Sequence, residues 1–251
     1  MPITRTTGPV TLTLLSLRES GSPQWHYVTP EWRLDTTDPR WSGTKPSSVQ
    51  FSDATGNDGS LLSPMEPAWS LHTVLHRERP EQFTAAERLV FTNVVLPQAG
   101  EFVPHQQAAD VVGCTVRVVG TGGPGRLSLT NGLTWGFDPS LASSGGSGST
   151  SDGKTQVEYW TTSASFVFVE VTHLQSTDEV RLVAHDERGR NVSINANNGS
   201  HYRQNSLVRM DTIQPSADAR SLTIEVFISR PLAFDFMIDP KEIQAAQSGK
   251  K

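Results

Sequence analysis

Gly120-Thr121-Gly122-Gly123-Pro124-Gly125 has the G-x-G-x-x-G spacing of dinucleotide-binding loops, and the alternating stretch Cys114 to Val119 precedes it. That chemistry needs a helix next, so that backbone N–H groups and the helix dipole meet a pyrophosphate. Arg126-Leu127-Ser128-Leu129-Thr130 follows instead, a strand pattern, and Pro124 removes a donor. The stretch therefore reads as a hairpin loop. His72 and His76 stand four apart, as on zinc helices, but position 73 is Thr where H-E-x-x-H carries Glu. On a strand the two would lie about 13 Å apart at ~3.3 Å per residue, too far for one ion. Asp53, Thr55, Asn57 and Asp58 resemble part of a calcium loop, yet Asp58 replaces the Gly that loop needs and Pro64 its bidentate Glu. Cys114 has no local activator and reads as a small apolar core residue. Ser147, in Gly-Gly-Ser-Gly-Ser, fails G-x-S-x-G at its last position. The chain is thus expected to be non-enzymatic, with no catalytic residue, cofactor or metal.

Six Trp remain, four of them (Trp25, Trp32, Trp41, Trp69) in the first third of the chain. Trp most often fills cores, but an exposed Trp can present a flat apolar surface to a sugar or a protein. Trp25 and Trp41 are the candidate ligand-binding residues. Glu31, Asp53 and Glu170 are acids available to a carbohydrate site.

The elements that would carry these residues read as strands. Alternation marks Val10–Leu17, Trp25–Leu34, Val49–Phe51, Trp69–His76, Leu89–Leu96, Cys114–Val119 and Arg126–Thr130, then Val157–Thr161, Ser165–Thr172, Val180–His185, Ser221–Ile228 and Leu232–Ile238. Phe83 to Arg88 is a short helix candidate. Residues 140–153, almost only Ser, Gly, Thr and Ala, read as flexible coil. The 27 Ser and 25 Thr suit solvent-facing positions of alternating strands, and with 35% hydrophobic residues point away from a helical bundle.

Ser70 to Phe83 aligns without a gap on Ser221 to Phe234, sharing Ser, Leu, Arg, Pro and Phe at an offset of 151. Phe51 to Asn57 similarly resembles Ala184 to Arg190 around Asp-x-x-Gly, and Val10 to Leu15 resembles Cys114 to Val119. The three blocks keep their order, which points to a repeated module. In Asp-x-x-Gly, Asp bonds nearby backbone and Gly supplies φ > 0. Strand, loop, strand ending in Asp-x-x-Gly, loop and final strand is similar to the immunoglobulin-like domains of uncharacterised bacterial extracytoplasmic proteins. The resemblance implies a sandwich architecture and no catalytic residue. The expected fold is all-β: two tandem immunoglobulin-like β-sandwich domains at 8–97 and 108–240, with the Ser/Gly-rich loop at 140–153 inside the second, a boundary near 98–110 and a disordered tail at 241–251.

Charge and hydropathy restrict the partners. With 21 basic against 26 acidic residues the net charge is −5, and no Lys/Arg cluster exceeds two residues. Phosphate neutralisation supplies most affinity for nucleic acid, so nucleic acid is not an expected partner. No apolar run approaches the ~20 residues of a membrane span. One cysteine excludes an internal disulfide. The opening Met1-Pro2-Ile3-Thr4-Arg5 lacks the apolar core of a secretory signal. The function expected is a structural or protein-interaction module, extracytoplasmic or at the cell surface, belonging to a larger surface or envelope protein. The alternatives are a carbohydrate-binding sandwich that uses exposed Trp, with a glycan partner, and a subunit of a phage or capsid-like assembly.

Overall fold

The computed structural model describes residues 2–22, 25–53, 69–98, 100–143, 145–196, 200–203 and 206–238. Thr55, Asn57 and Asp58 of the calcium-like stretch and the tail 241–251 lie outside the described residues. The fold is all-β, with four three-residue 3₁₀ turns and no α-helix among the described residues. No helix of the described residues is long and apolar enough to cross a membrane. The chain divides into two compact units, Met1–Phe83 with Ser229–Lys251, and Thr84–Ile228.

The first unit consists of two three-stranded antiparallel sheets. β1 (Ile3–Thr7), β2 (Val10–Ser22) and β3 (Trp25–Thr36) form one, with β2 central. β4 (Pro46–Asp53), β5 (Trp69–Leu75) and a return strand, Leu232–Ile238, form the other, with β5 central. Successive side chains on a strand point to opposite faces. Alternate residues Val10, Leu12 and Leu14 therefore meet Leu71 and Leu75 of β5 and Phe234, Phe236 and Ile238 of the return strand in one core.

The second unit contains β6 (Arg88–Val95), β7 (Phe102–Val111), β8 (Cys114–Gly122), β9 (Gly125–Thr130), β10 (Thr134–Asp138), β11 (Gly146–Ser151), β12 (Gln156–Thr162), β13 (Phe166–Thr172), β14 (Glu179–Asp186), β15 (Asn191–Asn195), β16 (Ser200–Arg203), β17 (Ser206–Gln214) and β18 (Ser221–Ser229). Nine of these form one sheet, ordered β6-β18-β14-β15-β17-β13-β8-β7 with β16 beside β17. The other four form a smaller sheet, β10-β9-β12-β11.

β13 explains how the two sheets stack. Its Phe-Val-Phe-Val run is the continuous apolar pattern of a strand covered on both faces. Val167, Val169 and Val171 enter one core with Ile224, Val226 and Ile228 of β18. Phe166 and Phe168 enter a second core with Leu127 and Leu129 of β9 and Trp160 of β12. One face of the small sheet is thus buried on the large one.

The glycine motif now has a packing role. A Cβ on Gly120 would lie 2.4 Å from Phe102 Cζ, one on Gly122 2.2 Å from Phe166 Cζ, and one on Gly125 2.6 Å from Phe137 Cζ. The three rings cluster at centroid separations of 6.0–6.2 Å. The glycines seat an aromatic cluster where the chain crosses from β8 in the large sheet to β9 in the small one. The hairpin expected there is therefore a sheet-to-sheet crossing, because β8 pairs with β7 and β13 while β9 pairs with β10 and β12.

Three expectations about organisation differ from the structure. The boundary expected near 98–110 is occupied by β7, which pairs along β8. The units do not follow one another as 8–97 and 108–240: β6 pairs with β18 in the second unit, and Leu232–Ile238 pairs with β5 in the first. The aligned block at 221–234 is accordingly divided, its first eight residues in one unit and the rest in the other. The stretch expected to be coil, 140–153, contains β11, whose backbone is satisfied by pairing with β12. Context there overrides a weak local strand propensity.

The Asp-x-x-Gly turn matches its expectation. Asp186 Oδ1 accepts from the amides of Arg188 and Arg190, each at 2.9 Å, and Gly189 has φ +76°.

Candidate binding face

The small sheet leaves its second face open. Leu127, Leu129 and Trp160 point into the core, so the residues between them point outward. The register places them in rows across the four strands. Gly136, Ser128, Tyr159 and Gly148 form one row, and Asp138, Arg126, Thr161 and Gly146 the next. Gly136, Ser128, Tyr159, Asp138 and Arg126 of these rows line a recess of about 420 Å³, bordered also by Thr150, Val157 and Leu141. Ligand clefts typically span ~300–1,000 Å³.

Glycine shapes this face at one point above all. A Cβ on Gly148 would lie 2.5 Å from Tyr159 Oη and 2.7 Å from Cζ, so the Tyr159 ring lies across the space that a side chain would take. The Arg126 guanidinium carbon stands 4.7 Å from the centre of that ring. Stacking of this kind orients a guanidinium without consuming its N–H donors. The Arg126 side chain makes no hydrogen bond with any described residue, and its Nε is shielded from solvent. The Nη donors of this half-buried side chain, which face no acceptor, are the ones an incoming group can meet.

Asp138 supplies the complementary acceptor. Its Oδ1 accepts from the Ser140 hydroxyl at 2.6 Å and the Ser140 amide at 2.9 Å. Those two bonds, with a smaller contribution from the Arg126 charge, hold the carboxyl below its ordinary range and ionised at neutral pH. Its Oδ2 accepts no hydrogen bond from a described residue, and Arg126 and Asp138 close no salt bridge despite facing each other across the strands. The recess therefore holds an unspent cationic donor set and an unspent anionic acceptor beside an aromatic ring.

The residues singled out in the sequence lie elsewhere. Trp41 ends a 3₁₀ turn at Pro39–Trp41, is only 6% exposed and belongs to the core of the first unit. Arg77 lies between its ring and that of Phe83, at 5.2 and 4.7 Å. A ring so enclosed offers no platform to a ligand. Trp25 opens β3 opposite Ser22, and its side chain is outside the described part of the structure. Trp32 packs on Phe236 at 5.2 Å, and Trp135 and Trp160 pack on Phe168 at 5.0 and 4.7 Å. Of the acids, Glu31 accepts from Ser16 and Glu170 pairs with Arg117. Asp53 closes β4 opposite Trp69. His72 Nδ1 is 2.8 Å from Asp235 Oδ1, whereas His76 is buried. Cys114 is buried, its thiol 3.6 Å from the His173 carbonyl oxygen.

Tyr159 and Arg126 escape a reading that looks for Trp. Arg126 and Ser128 carry a visible signal, since Leu127 and Leu129 alternate with them in β9, but β12 (Gln-Val-Glu-Tyr-Trp-Thr-Thr) has no such alternation to mark Tyr159 as outward. Reading 140–153 as coil hides the second half of the site, because Gly148 is then never placed opposite Tyr159.

No family model matches the chain, and no curated protein or solved structure matches it.

Proposed function

We propose that this chain is a non-enzymatic binding module and that the outer face of the small sheet is its binding surface. The recess lined by Gly136, Arg126, Asp138 and Tyr159 carries this reading, because it combines an aromatic ring with side-chain donors and an acceptor that no described residue uses. The two sheets that share one core in the first unit are compatible with an immunoglobulin-like relationship, which we retain as part of the proposal along with an extracytoplasmic location. A structural or protein-interaction role and carbohydrate binding both fit a module of this type, and the recess is where they can be told apart.

The test is an array of glycans and peptides probed with the whole chain and with Gly148→Val. Ligand capture that is lost in the variant, with the far-ultraviolet circular dichroism unchanged, supports the reading. Capture that persists at full strength places the binding surface elsewhere.

A further inference from the structure

The chemistry of the recess narrows the ligand. Arg126 offers N–H donors, Asp138 Oδ2 accepts, and the two formal charges cancel. A group that satisfies both must accept and donate, as a hydroxyl does and a carboxylate or phosphate does not. An anionic ligand would gain from Arg126 but bring its charge close to the ionised Asp138. A peptide docking on a sheet adds to an edge through main-chain hydrogen bonds. This recess is on a face, where the backbone groups of the central strands β9 and β12 are already used in pairing, so its floor offers side chains. Leu141 and Val157 add apolar area, which suits the C–H face of a pyranose ring, while Tyr159, its faces taken by Arg126 and Gly148, orients the guanidinium.

From these observations we infer that the recess binds an uncharged sugar residue of a glycan, with neighbouring hydroxyls bridging Arg126 and Asp138 and its C–H face lying against Leu141 and Val157. The inference rests on the reading of this face as the binding surface and specifies its ligand. Arg126 is pre-oriented by its contact with Tyr159, so the ligand need not order it on binding. Gly148 is a positioning residue: it touches no ligand but lets Tyr159 lie flat.

The experiment is calorimetric titration of the whole chain with uncharged trisaccharides of glucose, mannose and galactose. A galacturonic acid trimer and a Glu-rich peptide serve as comparators. The expected result is that at least one uncharged trisaccharide binds with a Kd below about 1 mM. Tyr159→Ala, Arg126→Met and Asp138→Asn should each weaken that binding roughly tenfold or more, a loss of about 1.4 kcal/mol. Circular dichroism and melting of each variant keep a folding defect distinct from a binding defect. Failure of every uncharged sugar to bind overturns the inference. If instead the galacturonic acid trimer or the peptide binds and is lost in Tyr159→Ala, the sugar inference falls while the face remains the binding surface. Sugar binding untouched by all three substitutions overturns both.

Discussion

Gly148→Ala and Gly122→Ala introduce the same methyl group into nearly the same overlap, yet Gly122→Ala should cost the fold more. The new Cβ would lie 2.5 Å from Tyr159 Oη at one site and 2.2 Å from Phe166 Cζ at the other. Tyr159 is half-buried at the rim of an open recess, so its ring can swing toward solvent. That movement costs about 0.5–1.5 kcal/mol if the ring leaves its preferred rotamer, plus about 0.5–1 kcal/mol for the lost contact with Arg126. Replacing glycine by alanine returns roughly 0.4–1 kcal/mol by restricting the unfolded chain. The net change in stability is therefore about zero to 2 kcal/mol, while Tyr159 no longer lies across the sheet. Phe166 has no such freedom, since it is fully buried and packed against Phe102 and Phe137. Overpacking in a closed core costs about 1–3 kcal/mol or more. Urea unfolding of the two variants beside the parent measures both values. Near-ultraviolet circular dichroism should change at Gly148→Ala without loss of cooperative unfolding. Equal destabilisation of the two variants would refute the claim that the recess yields where the core does not.

Asp211 is fully enclosed and pairs with Arg209, two residues along β17, whose Nη1 also donates to the Val180 carbonyl oxygen at 2.7 Å. Burial pushes the Asp211 carboxyl up, with Arg209 opposing; Asp211→Ala should cost about 3–5 kcal/mol by stranding the guanidinium, and Arg209→Met with Asp211→Leu should recover most of it. A loss below about 1 kcal/mol in the single variant, measured by urea unfolding, would contradict this. Phe168→Ala, which removes a fully buried ring standing edge-on to Trp160 and Trp135, should cost about 3–5 kcal/mol in the same assay. His105 is held below its ordinary value of 6.5 by burial, against a bond to the Val95 backbone, and its Nε2 has no partner. The unfolded chain thus takes up a proton that the folded chain refuses, so stability should be constant above about pH 6.5 and fall below it. His105→Gln should remove that part of the pH dependence, and identical profiles for parent and variant would exclude His105 as its source.

Strands with alternating residues, such as β2, β8 and β18, were legible because period-2 patterning writes itself into the residues, and β13 was legible as a short, β-branched and aromatic apolar run. The turn at Asp186 was legible because its chemistry is local: one carboxylate, two amides and a glycine with φ +76°. β17 escaped notice because Arg209 and Asp211 occupy positions of the core-facing parity, where their pairing, not their hydropathy, makes burial tolerable. β7 was obscured by Pro104 and by His105-Gln106-Gln107, polar residues on a strand at the end of the large sheet. β11 carries almost no intrinsic preference for a strand and is held by its pairing with β12. The apparent repeat misled because local alternation does not encode which sheet a strand joins: Ser70 to Phe83 lies within one unit, while its aligned counterpart crosses between two. The site was least legible, since it depends on a cross-strand neighbour, Gly148 beside Tyr159, that only the register reveals.

The central claim is that the outer face of the small sheet is where this chain meets its ligand. Mapping amide chemical shifts of the isotope-labelled chain during titration with a bound glycan tests it residue by residue. The account predicts that the largest shifts cluster on Arg126, Ser128, Gly136, Asp138, Gly148 and Tyr159, whose outward positions share two rows of the sheet. Shifts confined to other strands, with these six residues unchanged at saturation, would contradict it.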